Sequence, residues 1–196
     1  MRRQLVTGLL ATVALVVLLG LAYPLAMTGL GQALFSRQAN GSLVKVGGQV
    51  VGSALIGQAF DDAKGNPLPQ YFQPRPSAAG KGYDATSSGA TNLGPSNPDL
   101  LNAVAQRVSD YRRFNGLAPG AAVPVDAVTS SGSGLDPDIS EANALDQAPR
   151  VAAARHLQVA SVVALVHQHA NGRPWGVLGE GTVNVLDLNV ALDRMG

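Results

Sequence analysis

The chain has 196 residues, 46% of them hydrophobic and only 14% charged, with a formal net charge of +1. That length suits one ordinary domain with an anchor, and the apolar, weakly charged composition excludes the disordered class. The balanced charge lacks the basic stripe of a nucleic-acid binder, and the absence of cysteine excludes disulfides, thiolate catalysis and cysteine-ligated metals.

In chain order, Arg2 and Arg3 precede an uncharged stretch from Gln4 to Ser36, whose most apolar part is Leu5–Met27. Roughly 20 apolar residues at about 1.5 Å per residue cross a hydrocarbon core of about 30 Å. The run is longer than the apolar region of a cleaved signal, and Ala22-Tyr23-Pro24 is a poor cleavage site. Residues 1–36 are therefore expected to be an uncleaved single-pass anchor in the cell (inner) membrane. Pro24 falls near the far end, where a kink or a helix end is tolerated. By the positive-inside rule, Arg2 and Arg3 hold the N-terminus in the cytoplasm, which places the soluble domain, residues 37–196, on the extracytoplasmic side.

The soluble part reads as one mixed α+β domain. Ser42–Val46 and Val50–Gly57 are expected strands joined by a hairpin at Gly47-Gly48-Gln49. Residues 61–98 form a long loop rich in Pro, Ser and Gly, expected to be a packed interaction loop or to hide short strands. Asn97-Pro98 starts a helix that Gly116 ends. Its Leu101, Val104, Val108 and Tyr111 share one face expected to meet the core, and Arg107, Arg112 and Arg113 read as a solvated face. Ser140 caps a second helix, interrupted at Pro149 and resuming over Arg150–Arg155. A third carries Val159, Val162, Val163 and Val166 on one stripe. The tail from Trp175 reads as a strand and then a short helix with Val185, Leu188 and Leu192 at helical spacing.

Several segments invite a chemical reading. The run Ser130–Asp136 contains Gly132 and Gly134 ahead of a helix. It is either a tight turn or a cradle for an anion, and it lacks the Gly-Lys-Ser/Thr ending of a P-loop. Asp136–Glu141 begins like a calcium loop, but the sixth-position glycine is missing and the twelfth position holds Gln147. His167 and His169 do not share a helix face, so with His156 they read as helix-end residues rather than a metal triad. No metal site and no catalytic residue is expected. A serine hydrolase using Ser133 and a histidine remains an alternative, although no nucleophile elbow is present.

Six uncommon strings occur in order: Gly52–Phe60 (GSALIGQAF), Tyr71–Ala78 (YFQPRPSA), Thr91–Pro98 (TNLGPSNP), Val123–Ser140, Gln147 followed by Arg150–Arg155 (RVAAAR), and Val183–Asp193 (VNVLDLNVALD). With the N-terminal anchor they closely resemble the C-subunit family of the bacterial potassium-transporting Kdp ATPase. The chain departs from the usual pattern at Ala90-Thr91 and at Asp138. The resemblance implies an accessory subunit that stabilises an ATP-driven potassium importer and promotes ATP use by its pump subunit. The implied partners are a channel-like potassium-binding subunit, a P-type ATP-hydrolysing subunit and the lipid bilayer. This chain has no Asp-Lys-Thr-Gly-Thr phosphorylation motif and so is not itself the pump.

No tightly bound cofactor is implied, and ATP enters through the pump subunit. A direct nucleotide-binding role would use Ser131, Gly132, Ser133 and Gly134 with Gln147. Because ATP is cytoplasmic, an extracytoplasmic domain would act on it only indirectly. For the partner interface, Tyr71, Phe72 and Arg75 have the makeup of anchor residues on a proline-stiffened loop. The alternative is that Tyr71 and Phe72 pack into the domain's own core.

Overall fold

The computed structural model describes residues 1–195. They form two compact units, Met1–Leu43 and a second that begins at Val44.

The first unit is dominated by α1 (Arg2–Leu34), a helix of 33 residues with none of its apolar window buried. Among the described residues it is the one helix long and apolar enough to cross a membrane. Pro24 neither breaks nor ends it. Proline has no N–H and its ring crowds the carbonyl four residues back. Just ahead of it the backbone widens into a π turn over Leu18–Ala22, in which Tyr23 N–H reaches Leu18 O. A π turn is a usual way to absorb such a local defect without a break.

The boundary between the two units falls inside β1 (Leu43–Val46), which is followed by β2 (Gln49–Ser53). Gly47 and Gly48 take φ of 57° and 84° between them, the left-handed pair that a tight hairpin needs. β2 stops short of the expected Gly57. Ser53 turns the chain, its Oγ accepting from Leu55 N–H at 3.1 Å and its carbonyl from Ile56 N–H at 3.3 Å.

The remaining elements are α2 (Pro98–Asn115), β3 (Asp138–Ser140), α3 (Glu141–Arg155), α4 (Val159–His169), β4 (Ala170–Asn171), β5 (Thr182–Asn184) and α5 (Val185–Leu192). The sheet has the order β3-β5-β4 and is antiparallel throughout, with Ile139 opposite Val183 and Ala170 opposite Val183. Each of β3 and β5 runs straight into a helix. Ser140 and Asn184 end the strands and cap α3 and α5, their side chains accepting from Asn143 N–H and Asp187 N–H. One face of the sheet supplies Ile139 and Val183 to the core. Ala144, Ala148 and Val151 of α3, Val162 and Val166 of α4, and Leu188 and Leu192 of α5 complete it.

Two helices differ from expectation. α3 is continuous through Pro149. The ring sits on the exposed side of the helix, where water can satisfy a freed carbonyl, while Ala148, Val151 and Ala152 on the other side are buried and hold both halves to the core. α2 has its cap at Asn97 and its left-handed stop at Gly116, but its apolar stripe is not core: Leu101 is 55% exposed and Val104 and Val108 are half-buried. Its arginines are not a solvated face either. Arg107 Nη1 donates to Val128 O at 3.1 Å and Arg112 Nε to Ala121 O at 2.9 Å, so α2 organises the connection to β3. Arg113 alone of the three is exposed, paired with Asp110.

Candidate functional site: a clamped strap and its cleft

Within the long loop, residues 69–77 form a strap without a ladder partner, entered by a turn in which Tyr71 N–H donates to Leu68 O at 3.3 Å. A strap lying on a core must still satisfy its main-chain polar groups. Here side chains do what a neighbouring strand would. Asn189 Oδ1 accepts from Phe72 N–H and its Nδ2 donates to Phe72 O, each at 2.9 Å. Gln147 repeats the arrangement one residue on: Oε1 accepts from Gln73 N–H at 2.7 Å and Nε2 donates to Gln73 O at 3.0 Å. Arg150 Nη1 donates to the carbonyls of Pro69 and Tyr71, and Arg155 Nε donates to Gln70 O. Every carbonyl from Pro69 to Gln73 is thus held by a side chain of α3 or α5.

The string from Gln147 to Arg155 and the Asn189 string are therefore the two jaws of one clamp. The second jaw escapes sequence reasoning, because an asparagine in an apolar helix carries no sign of what it holds. The jaws are themselves fixed. Gln147 is 2% exposed, and its amide also meets Asn143 Oδ1 and Arg150 Nη2. Asn143 in turn meets Tyr111 Oη and Asp126. Arg150 lies 4.3 Å above the Phe114 ring, and burial pulls its guanidinium down to about 10, still charged at neutral pH.

This geometry settles where the expected site residues lie. Gln147 has every amide position occupied inside the domain. Phe72 is fully buried in the core cluster, which is the core packing weighed for it from the sequence. Burying a side chain of this size contributes about 1.5–3 kcal/mol. Tyr71 is half-buried, its ring centroid 5.3 Å from that of Phe60 and 4.7 Å from the Arg155 guanidinium carbon. Arg75, the third of these, is part-buried and paired within the domain. Nη1 pairs with Asp136 Oδ2 at 2.9 Å, and the side chain is 23% exposed.

The Gly-rich run is a packed turn. Ser77 Oγ donates to Gly134 O at 2.6 Å, and Gly89 N–H donates to Ser133 O at 2.9 Å. Gly134 has φ of 68°, and a Cβ there would stand 2.7 Å from both Ala79 N and Gly89 O. Leu135 N–H is taken by Ser133 Oγ and Gly134 N–H by Ser131 O, so these two amides are used within the turn. Gly132 lies open: a Cβ there would meet nothing within 4 Å. Ser133 Oγ has Leu135 N–H and Ser131 Oγ as neighbours and, among the described residues, no histidine partner.

The remaining chemical readings resolve into structural roles. Asp136 is used by Arg75 and by Asp138 N–H. Asp138 accepts from Thr182 Oγ1 and Asn184 Nδ2 across the sheet. His156 is the left-handed cap of α3, and His167 pairs with Glu141 at 2.7 Å. Among the described residues no group of three His, Asp or Glu is placed to hold a metal.

Beside the strap lies an open cleft of about 410 Å³. Pro74 and Arg75 from the strap, Lys81 and Tyr83 beyond it, and Arg107 and Phe114 of α2 contribute to its walls. Tyr83 Oη donates to Arg75 O at 2.6 Å, and burial pushes its phenol up, so that wall stays neutral. Arg75 is balanced by Asp136, whereas Arg107 donates only to a carbonyl and Lys81 makes no hydrogen bond or ion pair among the described residues. The cleft is aromatic and proline-walled, and its charges are mixed, because Asp61 and Asp110 line it as well.

Comparison with known proteins finds sequence similarity along nearly the whole chain. The family model described as K+-transporting ATPase, c chain, matches residues 5–194. Proteins named potassium-transporting ATPase KdpC subunit are similar from end to end. Those of Mycobacterium bovis and Mycobacterium tuberculosis are 55% identical over 195 residues, covering 100% of both chains. That of Rhodospirillum rubrum is 53% identical over 196 residues, covering 99% of this chain and 97% of its own. The chain with the clamped strap belongs to the KdpC family, the c-chain family of K+-transporting ATPase.

Proposed function

We propose that the protein is the accessory subunit of an ATP-driven, high-affinity potassium import complex. It stabilises assembly of the channel-like potassium-binding subunit with the P-type ATP-hydrolysing subunit. It promotes ATP use by the pump subunit through that assembly, holding no cofactor of its own. The observation that carries this reading is the clamped strap beside the cleft. A loop whose carbonyls are fixed by part-buried arginines and buried amides presents a rigid surface, and little entropy is lost when a rigid surface docks. Lys81, exposed on the cleft wall, suits an acidic side chain of a partner.

The second unit is assigned to the extracytoplasmic side, because Arg2 and Arg3 precede the apolar helix. This supports an indirect effect on ATP. A cysteine placed at Lys64, an exposed residue of this cysteine-free chain, tests the side. In intact cells a membrane-impermeant maleimide should label Lys64→Cys. Labelling only after the cells are opened would place the domain in the cytoplasm and reopen direct nucleotide contact.

A further inference from the structure

The connection between β4 and β5 carries a feature that the fold does not use. Trp175 is 90% exposed, Val177 75% and Leu178 51%, which makes Trp175 the most exposed large apolar residue of the second unit. The display is built in. Trp175, Gly176 and Gly179 have φ of 53°, 78° and 66°, and a left-handed backbone is unusual for a bulky residue. Gly176 N–H closes the turn on Arg173 O at 2.8 Å, and Arg173 pairs with Glu180 at 3.3 Å. The base of the turn is therefore charge-balanced, and its projecting part carries only apolar groups and the indole.

We propose that this turn is a second, peripheral membrane contact, in which Trp175, Val177 and Leu178 enter the headgroup–acyl boundary of the bilayer that holds α1. The apolar helix keeps the second unit tied to a bilayer, so that surface is at hand whatever else the unit engages. The side chains fit it. An indole is amphipathic and prefers the membrane interface, and aliphatic neighbours favour the acyl edge. A few side chains also fall well short of the roughly 800 Å² per partner that a stable protein interface buries, whereas a lipid surface sets no such minimum. Neither the anchor nor the turn depends on the identity of the complex.

Trp175 is the single tryptophan of the chain, so the unmodified protein reports on itself. The full-length chain is reconstituted into phosphatidylcholine–phosphatidylglycerol vesicles, with lipids brominated either near the glycerol or near the acyl terminus. The expected result is blue-shifted emission, reduced acrylamide quenching, and stronger quenching by the shallow bromines than by the deep ones. Leu178→Asp should move all of these back toward a water-exposed indole without changing the far-ultraviolet circular dichroism. Red emission open to acrylamide and unaffected by brominated lipid would overturn the proposal. So would shielding that arises only on adding the other subunits and without bromine quenching, which would mark a protein contact instead.

Discussion

Gln147 on α3 holds both main-chain groups of Gln73, accepting from its N–H at 2.7 Å and donating to its carbonyl at 3.0 Å. The exchange is that of a β-ladder with one strand replaced by a side-chain amide. Asn189 does the same for Phe72, so an irregular loop is bound to the core as firmly as a strand. What looks like a polar, ligand-ready residue is thereby committed to the fold.

Removing that amide tests the commitment. Gln147→Ala leaves the N–H and carbonyl of Gln73 unpaired at the edge of the core. Each buried group left unsatisfied costs about 1–3 kcal/mol. The melting temperature of the second unit, followed by circular dichroism on the full-length protein, should fall by several degrees or the unit should fail to fold. A variant as stable as the parent that only weakens ATP use would instead make Gln147 a nucleotide contact.

The caps and the hairpin were legible in the sequence because they are local. Asn97-Pro98, Gly116, Ser140 and Gly47-Gly48 each determine the backbone within a few residues of themselves. The clamp was not legible, because Gln73 and Gln147 lie 74 positions apart and Phe72 and Asn189 lie 117 apart. The spacing of Gln147 and Arg150 announces one helix face but not the carbonyls it serves. The stripe on α2 misled for a related reason. Periodicity shows that Val104 and Val108 share a face, but not whether that face meets the core or only covers a connecting segment.

The Gly-rich turn gives a second test by contrast. Gly134→Ala combines a left-handed φ with a Cβ 2.7 Å from backbone atoms on two segments. A left-handed alanine costs about 1–2 kcal/mol and overpacking about 1–3 kcal/mol more. Gly132→Ala meets nothing within 4 Å, and its φ is not left-handed. Thermal melts should show a large loss for Gly134→Ala and little change for Gly132→Ala. An anion cradle would make both substitutions harm ligand binding while leaving stability similar.

Acid titration tests the cleft wall. Burial, and then the charge of Asp62, push the Asp61 carboxyl above its ordinary 3.8. The folded state therefore keeps the Asp61 proton after the unfolded chain has lost it. Stability falls as pH rises above about 3.8 and levels off once the folded carboxyl ionises. Asp62 works in the opposite sense: hydrogen bonds from Asn66 hold it below 3.8, and its contribution is lost as pH falls. Melting curves across the acid range should show Asp61→Asn gaining on the parent as pH rises, with the two converging in strong acid. A constant offset at every pH would show that Asp61 does not titrate differently on folding.

Whether the second unit acts by binding partners at its cleft or by touching ATP can be decided at one residue. Lys81 is the cleanest lever, being exposed, on the cleft wall and outside every contact of the fold described above. The decisive measurement is recovery of the whole complex carrying Lys81→Glu, together with the KM for ATP of the fraction that assembles. Action through partner binding predicts a correctly folded subunit, reduced recovery of the other subunits with it, and an unchanged KM in the assembled fraction. Full recovery of the complex with a raised KM for ATP would show instead that the second unit reaches the nucleotide directly.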